Sequence, residues 1–288
     1  METHSLNIDG LNMVYSVDGD KSAPPLIMIH GWGSFKGVWR TTIPALKEHY
    51  RCIAVDLIGC GESDIPRHAN VTIPKQAERV KALVDSLGYD KVSIIGHSMG
   101  GQIALYLASQ LIPDRIEKLV NVAGVAHAKL TKAAERDLST IKLAQYIPAV
   151  FTSSRLWCHT RLYARLFCSH WLYDLDNPDV EFWREDRYSS LRPKSHRVMY
   201  SAWEAITACD LSDHLIKITA PTLTIFGKQD NVVPIESGYI ADEHIPNHQL
   251  ILIDKCGHFA MYEQTETYLS VLQAFLDVPQ QTEKGLDT

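Results

Sequence analysis

The stretch Gly96-His97-Ser98-Met99-Gly100 carries the clearest chemistry in this 288-residue chain. It joins an apolar run, Val92 to Ile95, to a segment of helical spacing, Met99 to Gln110. A serine flanked by glycines at such a strand-to-helix junction has the pattern of a nucleophile elbow. The turn is so tight that side chains at Gly96 and Gly100 would collide, and it strains the serine while raising its hydroxyl above the strand ends. The backbone N–H groups at the start of the next helix, that of Met99 among them, carry partial positive charge suited to an oxyanion. The implied chemistry is attack by the Ser98 oxygen on an electrophilic carbon. A hydroxyl is a poor nucleophile until a base removes its proton, so a histidine and a carboxylate to orient it are needed elsewhere. A phosphate-binding loop is the competing reading, but neither Walker nor GxGxxG spacing is present.

Positioning that serine takes a sheet. Short apolar runs without alternation occur at Pro25–His30, Cys52–Val55, Val92–Ile95, Leu119–Val122, Leu223–Phe226 and Leu250–Ile253, as expected of strands covered on both faces. An opening hairpin is predicted over Ser5–Asp9 and Asn12–Val17, broken at Gly10 and Leu11. Helices are predicted at Val38–His49, Pro74–Leu87 (closed by Gly88), Met99–Gln110, Val232–His244 and Tyr262–Leu276. Alternating strands and helices with short links predict a doubly wound, mostly parallel α/β sheet. The alternation fails between His127 and Cys209, where the chain turns aromatic and helix-like. The expected division is a core of residues 1–126 and 210–279, a helical cap insertion at 127–209, and a tail at 280–288.

Composition narrows the function. A formal net charge of -6 with no basic block gives no electrostatic reason for nucleic acid or an anionic membrane as partner. No stretch approaches the ~20 apolar residues of a membrane span, and Met1–Asp9 has no signal-peptide core, so a cytoplasmic protein is expected. The six cysteines form no CxxC pair and no zinc spacing, which reads as reduced thiols, with Cys52 a small core residue. Neither a metal nor an organic cofactor is called for.

In these motifs the chain resembles the α/β-hydrolase family over nearly its whole length, least in the insertion. The resemblance implies an α/β-hydrolase fold: a mostly parallel eight-stranded sheet flanked by helices, with a helical cap. His30-Gly31-Trp32-Gly33 is similar to the family's oxyanion loop, which implies that the N–H of Trp32 pairs with that of Met99. Asp56-Leu-Ile-Gly59-Cys-Gly61-Glu-Ser63 is similar to a turn that is structural in the family. The family's chain order is nucleophile, acid, base. Gly227-Lys-Gln-Asp230-Asn-Val-Val-Pro234 and Gly257-His258-Phe259, each following a strand-like run, match its acid and base signatures. The resemblance thus implies a triad of Ser98, Asp230 and His258.

Among thirteen histidines the rivals are few. His97, beside the serine in sequence, points away from its face. His30 is expected to shape the oxyanion loop or line the pocket. His127, Phe35, Trp157 and Phe259 are further candidates for the pocket wall, and Asp254 is the nearest rival carboxylate. Serine at the elbow, where epoxide hydrolases and dehalogenases carry aspartate, points to acyl transfer through a covalent ester. The expected partner is a small-molecule acyl substrate with an apolar body, and the expected assembly is a monomer or homodimer. A carbon–carbon bond hydrolase of the meta-cleavage-product type is the alternative. Its Gly-Pro-Gly-like loop is replaced here by Gly33-Ser-Phe-Lys-Gly37. A non-catalytic ligand receptor of the same fold is the third reading.

Overall fold

A computed structural model of the chain describes residues 2–66, 68, 70–136, 142, 146, 160, 162, 165, 169–176 and 196–277. The expected tail at 280–288 and much of the 127–209 insertion lie outside these residues. Eight strands form one sheet: β1 (Glu2–Ile8), β2 (Leu11–Asp18), β3 (Pro25–Ile29), β4 (Arg51–Val55), β5 (Val92–His97), β6 (Ile116–Val122), β7 (Thr222–Gly227) and β8 (His248–Ile253), in the order β1-β2-β4-β3-β5-β6-β7-β8. β1, β2 and β4 pair antiparallel, and every pairing from β4 through β3 to β8 is parallel. Each residue of β5 and of β7 is buried, which explains why their sequences do not alternate.

The β1–β2 turn is Asp9-Gly10, one residue earlier than the sequence suggests. A two-residue hairpin loop of the favoured hand needs positive φ at both positions, and Asp9 (φ 55) and Gly10 (φ 78) supply it. Leu11 instead pairs with Ile8.

The flanking helices are α1 (Thr42–Leu46), α2 (Ile73–Ser86), α3 (Met99–Tyr106), α4 (His196–Thr207), α5 (Glu236–His244), α6 (Ala260–Glu263) and α7 (Thr265–Leu276). The α2 helix is capped by the Thr72 hydroxyl, which accepts from Lys75 N, and buries Ala77, Val80, Leu83 and Val84. Gly88 (φ 73) ends it in the left-handed conformation.

Four predicted helices are shorter or broken. Val38–His49 splits into a 3-10 turn (Lys36–Trp39) and α1, because Pro44 lies in the first turn of α1 and disfavours helix before it. Met99–Gln110 ends as α3 at Tyr106 and passes into one wider turn, Leu107–Leu111. Val232–His244 becomes helical only at Glu236, since Pro234 disfavours helix at the preceding Val233, and the N–H groups of Val232 and Val233 turn to Asp230. Tyr262–Leu276 is interrupted at Gln264 (φ -137, ψ 52), which separates α6 from α7.

The Asp56 turn is structural, as its motif implies. The Asp56 carboxylate accepts from the backbone N–H groups of Lys36 and Glu62 and pairs with the Lys36 ammonium at 2.9 Å. Ser63 donates to the Asp56 carbonyl and accepts from Val14 N, tying the turn to β2.

Beyond β6 the chain leaves the sheet, and it rejoins it before β7. His127 and Asp210 form an isolated antiparallel bridge at that neck, and Leu211 N donates to the Ala126 carbonyl at 3.0 Å. No helix among the described residues is long and apolar enough to cross a membrane.

Candidate active site

In a parallel α/β sheet, ligands bind outside the C-terminal strand ends, where successive crossovers diverge. Here the chain steps from β3 outward to β4 and then back to β5 on the other side, so that point lies between β3 and β5. The His30–Gly33 loop follows β3, and Ser98 follows β5.

Ser98 has φ 55 and ψ -118, a conformation L-residues avoid, and its N–H donates to the Val122 carbonyl at 2.8 Å. The glycines around it are there because backbone approaches too closely for a side chain. A Cβ on Gly96 would lie 2.3 Å from the Gly100 carbonyl oxygen, and one on Gly100 would lie 2.1 Å from that of Ile29. Since the second clash is with the end of β3, Gly100→Ala is expected to cost at least ~3 kcal/mol of stability. A urea midpoint matching wild type at unchanged slope would contradict that steric account. A Cβ on Gly31 would lie 3.0 Å from Ser98 Cβ, so the loop after β3 runs directly against the serine.

Asp230 lies just past β7 and His258 in the loop after β8. The structure brings them together: His258 Nδ1 lies 2.7 Å from Asp230 Oδ2, and both side chains are wholly buried. Asp230 Oδ1 accepts from Val232 N at 2.8 Å and Val233 N at 3.1 Å, which fixes the plane of the carboxylate. With Nδ1–H donating to the carboxylate, Nε2 carries the lone pair; it is buried and has no hydrogen-bond partner among the described residues. An imidazole so held can accept a proton. Asp254, the rival carboxylate, is exposed and accepts from Gln229 Nε2 at 3.1 Å.

His97 is turned toward the loop after β8. Its Nε2 lies 2.9 Å from the His258 carbonyl, so it ties the elbow to the loop after β8. Burial, and then the nearby His258, hold its pKa well below the usual histidine range. His30 is fully buried between two loops, with Nδ1 at the Gly31 carbonyl (2.7 Å) and Nε2 accepting from Leu57 N (3.1 Å). Both its nitrogens are therefore spent on backbone, which suits a role in shaping the loop rather than in touching a ligand.

The expected wall residues fall in different places. Phe35 is half-buried, with its ring lying over Gly37. His127 is buried at the neck, where burial lowers its pKa. Phe259 is buried in the loop after β8, against His97 and Tyr262. Trp157 lies outside the described residues.

Two tryptophans that sequence reading left among the general aromatics of the insertion come to the site. Trp171 stands edge-on to His258 (5.5 Å between centroids) and parallel to Trp32 (6.1 Å), while Trp203 meets Trp32 edge-on at 4.9 Å. Trp32 itself donates its Nε1–H to the Met199 carbonyl at 2.7 Å. Glu263 was also missed. It is a buried carboxylate beside the His258 loop, and the one signal was an acid amid the apolar residues just after His258. Cys52 is buried, and burial pushes its thiol up to about 12.

The sequence pattern described as "alpha/beta hydrolase fold" matches residues 24–265. The chain is 27% identical to 3-oxoadipate enol-lactonase 1 of Acinetobacter baylyi, over 96% of this chain and 98% of that protein. It is 25% identical to the pimeloyl-[acyl-carrier protein] methyl ester esterase of Aeromonas hydrophila, over 92% of this chain and 100% of that one. Among solved structures it resembles a meta-cleavage product hydrolase from Pseudomonas fluorescens IP01, with a TM-score of 0.77 at 25% identity, covering 95% of this chain and 97% of the other.

Proposed function

The chain belongs to the α/β-hydrolase fold family, and from that premise we propose that it is a serine hydrolase acting on an ester or related acyl bond of a small to medium apolar substrate. The observation that carries this reading is the solvent-excluded Asp230–His258 pair at 2.7 Å, with the His258 loop bound through His97 to the strained turn that bears Ser98.

In the proposed mechanism Ser98 Oγ attacks the acyl carbon while His258 Nε2 takes its proton. The carbonyl oxygen becomes an oxyanion, met by the backbone N–H groups of Trp32 and Met99. His258 then protonates the leaving group, and an acyl ester remains on Ser98. Water, deprotonated by the same nitrogen, attacks that ester and restores the hydroxyl. Asp230 holds the imidazole in the required tautomer and stabilises the imidazolium.

Residues 127–209 act as a cap in this reading. Trp171 and Trp203, which the insertion lays against Trp32 and His258, supply an apolar, water-poor surround that favours an apolar acyl or alcohol group. The resemblance to a meta-cleavage product hydrolase keeps carbon–carbon cleavage as a second reading.

The test is hydrolysis of p-nitrophenyl esters from acetate to palmitate, with wild type and Ser98→Ala side by side. Serine-dependent turnover peaking at one chain length is the expected result and sizes the pocket. No turnover of any ester, with cleavage of a vinylogous diketone, would replace this reading with the second.

A further inference from the structure

His258 sits in a loop, Gly257-His258-Phe259, that belongs to neither helix nor strand. Something outside the loop must therefore fix the base, and the backbone hydrogen bonds identify it. Gly257 N donates to Glu263 Oε1 at 3.0 Å and Phe259 N to the same oxygen at 3.4 Å. Between them, His258 N donates to the Trp171 carbonyl at 2.9 Å. The other carboxylate oxygen, Oε2, accepts from Tyr173 N at 2.6 Å, and Asp174 N also donates to this side chain. A Cβ on Gly257 would lie 2.8 Å from Tyr173 N and 2.9 Å from Glu263 Oε1, so the 171–174 strip, the loop and the carboxylate are in direct contact.

We infer that Glu263 is a positioning residue for His258: its carboxylate grips the peptide groups on both sides of the base and ties them to the Trp171–Asp174 strip, whose indole covers the same imidazole. The inference rests on His258 being the base. In its ionised form a carboxylate is the group that fits, because it then offers acceptors at both ends and donors at neither. Burying it is unfavourable: desolvation pushes its pKa up to about 7, although four backbone N–H groups pull the other way. An apolar residue would fill the space without that cost, but it would leave those N–H groups unpaired. The carboxylate also connects the proposed cap to the proposed base, since the strip lies within the 127–209 insertion.

An amide cannot do this. In Glu263→Gln one end still accepts, but the other presents N–H groups to N–H groups, so either the base loop or the strip is released. A small displacement of a base from its working position costs up to about 100-fold in rate. With the best p-nitrophenyl ester, and sites counted by fluorophosphonate titration, Glu263→Gln is expected to lower kcat per live site about 10- to 100-fold. KM should stay near wild type, because no substrate contact is removed. Glu263→Asp, which keeps both acceptor oxygens on a shorter stem, is expected to recover part of the loss.

A kcat per site within twofold of wild type in Glu263→Gln overturns the inference, whatever happens to its thermal midpoint. Should Glu263→Gln fail to fold, Glu263→Asp decides. Reduced kcat at unchanged KM supports positioning, and wild-type kcat with only a lower midpoint overturns it. Wild type without Ser98-dependent turnover strikes the hydrolase reading itself, whereas a live wild type beside an unaffected Glu263→Gln strikes Glu263 alone.

Discussion

Ser98→Ala is expected to lower ester turnover by about 10⁴- to 10⁶-fold while leaving the circular dichroism spectrum and thermal midpoint at their wild-type values. The size of the loss follows from the covalent route. Without Oγ there is no acyl-enzyme, and His258 has no hydroxyl to deprotonate. The unchanged stability follows from the backbone. Ser98 sits at φ 55 and ψ -118, which costs ~1–3 kcal/mol for any residue with a Cβ, alanine included. Glycine escapes that cost, so Ser98→Gly should be equally inactive but more stable than Ser98→Ala by ~1 kcal/mol. Activity and stability thus move separately at one position. Ser98→Ala with turnover within tenfold of wild type would falsify the mechanism, and a glycine variant no more stable than alanine would refute the strain at the elbow.

The parts of this site that sequence reveals are those where backbone geometry leaves little choice. Only glycine fits at Gly96 and Gly100, where added Cβ atoms would meet carbonyl oxygens at 2.3 and 2.1 Å, so the elbow is written in residue types. The sheet is equally legible, because strands buried on both faces must be apolar throughout. Helix limits were less so, since they depend on tertiary partners. The Val232–Val233 stretch read as helix is drawn instead into the loop after β7, where Asp230 accepts from both N–H groups. Trp171 and Trp203 could not be separated from the other aromatics of the insertion, since helical spacing carries no information about which indole faces His258. Glu263 was hidden for a different reason. Read as part of one continuous helix, it looks like a solvated acid; only the break at Gln264 and the fold of the 171–174 strip turn it inward.

Asp230→Asn is expected to cut kcat by about 10³- to 10⁴-fold, and Asp254→Asn by no more than about twofold. The expectation follows from the two ends of the carboxylate. Oδ1 accepts from Val232 N and Val233 N, and those donors will hold the amide oxygen of an asparagine in the same place. The amide nitrogen must then occupy the Oδ2 position, 2.7 Å from His258 Nδ1. Two N–H groups cannot face each other at that distance, so the imidazole moves its proton to Nε2 and lets Nδ1 accept. The nitrogen that must take the serine's proton is then already protonated, while the packing of a wholly buried pair is preserved. Loss of kcat with a near-native thermal midpoint is therefore the signature of a tautomer fault rather than of unfolding. Asp254 gives the contrast: it is exposed, its acceptor is taken by Gln229 Nε2, and its charge is held by solvent and neighbouring backbone. Should Asp254→Asn abolish turnover while Asp230→Asn retains it, the acid is Asp254, and the buried 2.7 Å pair serves the fold instead.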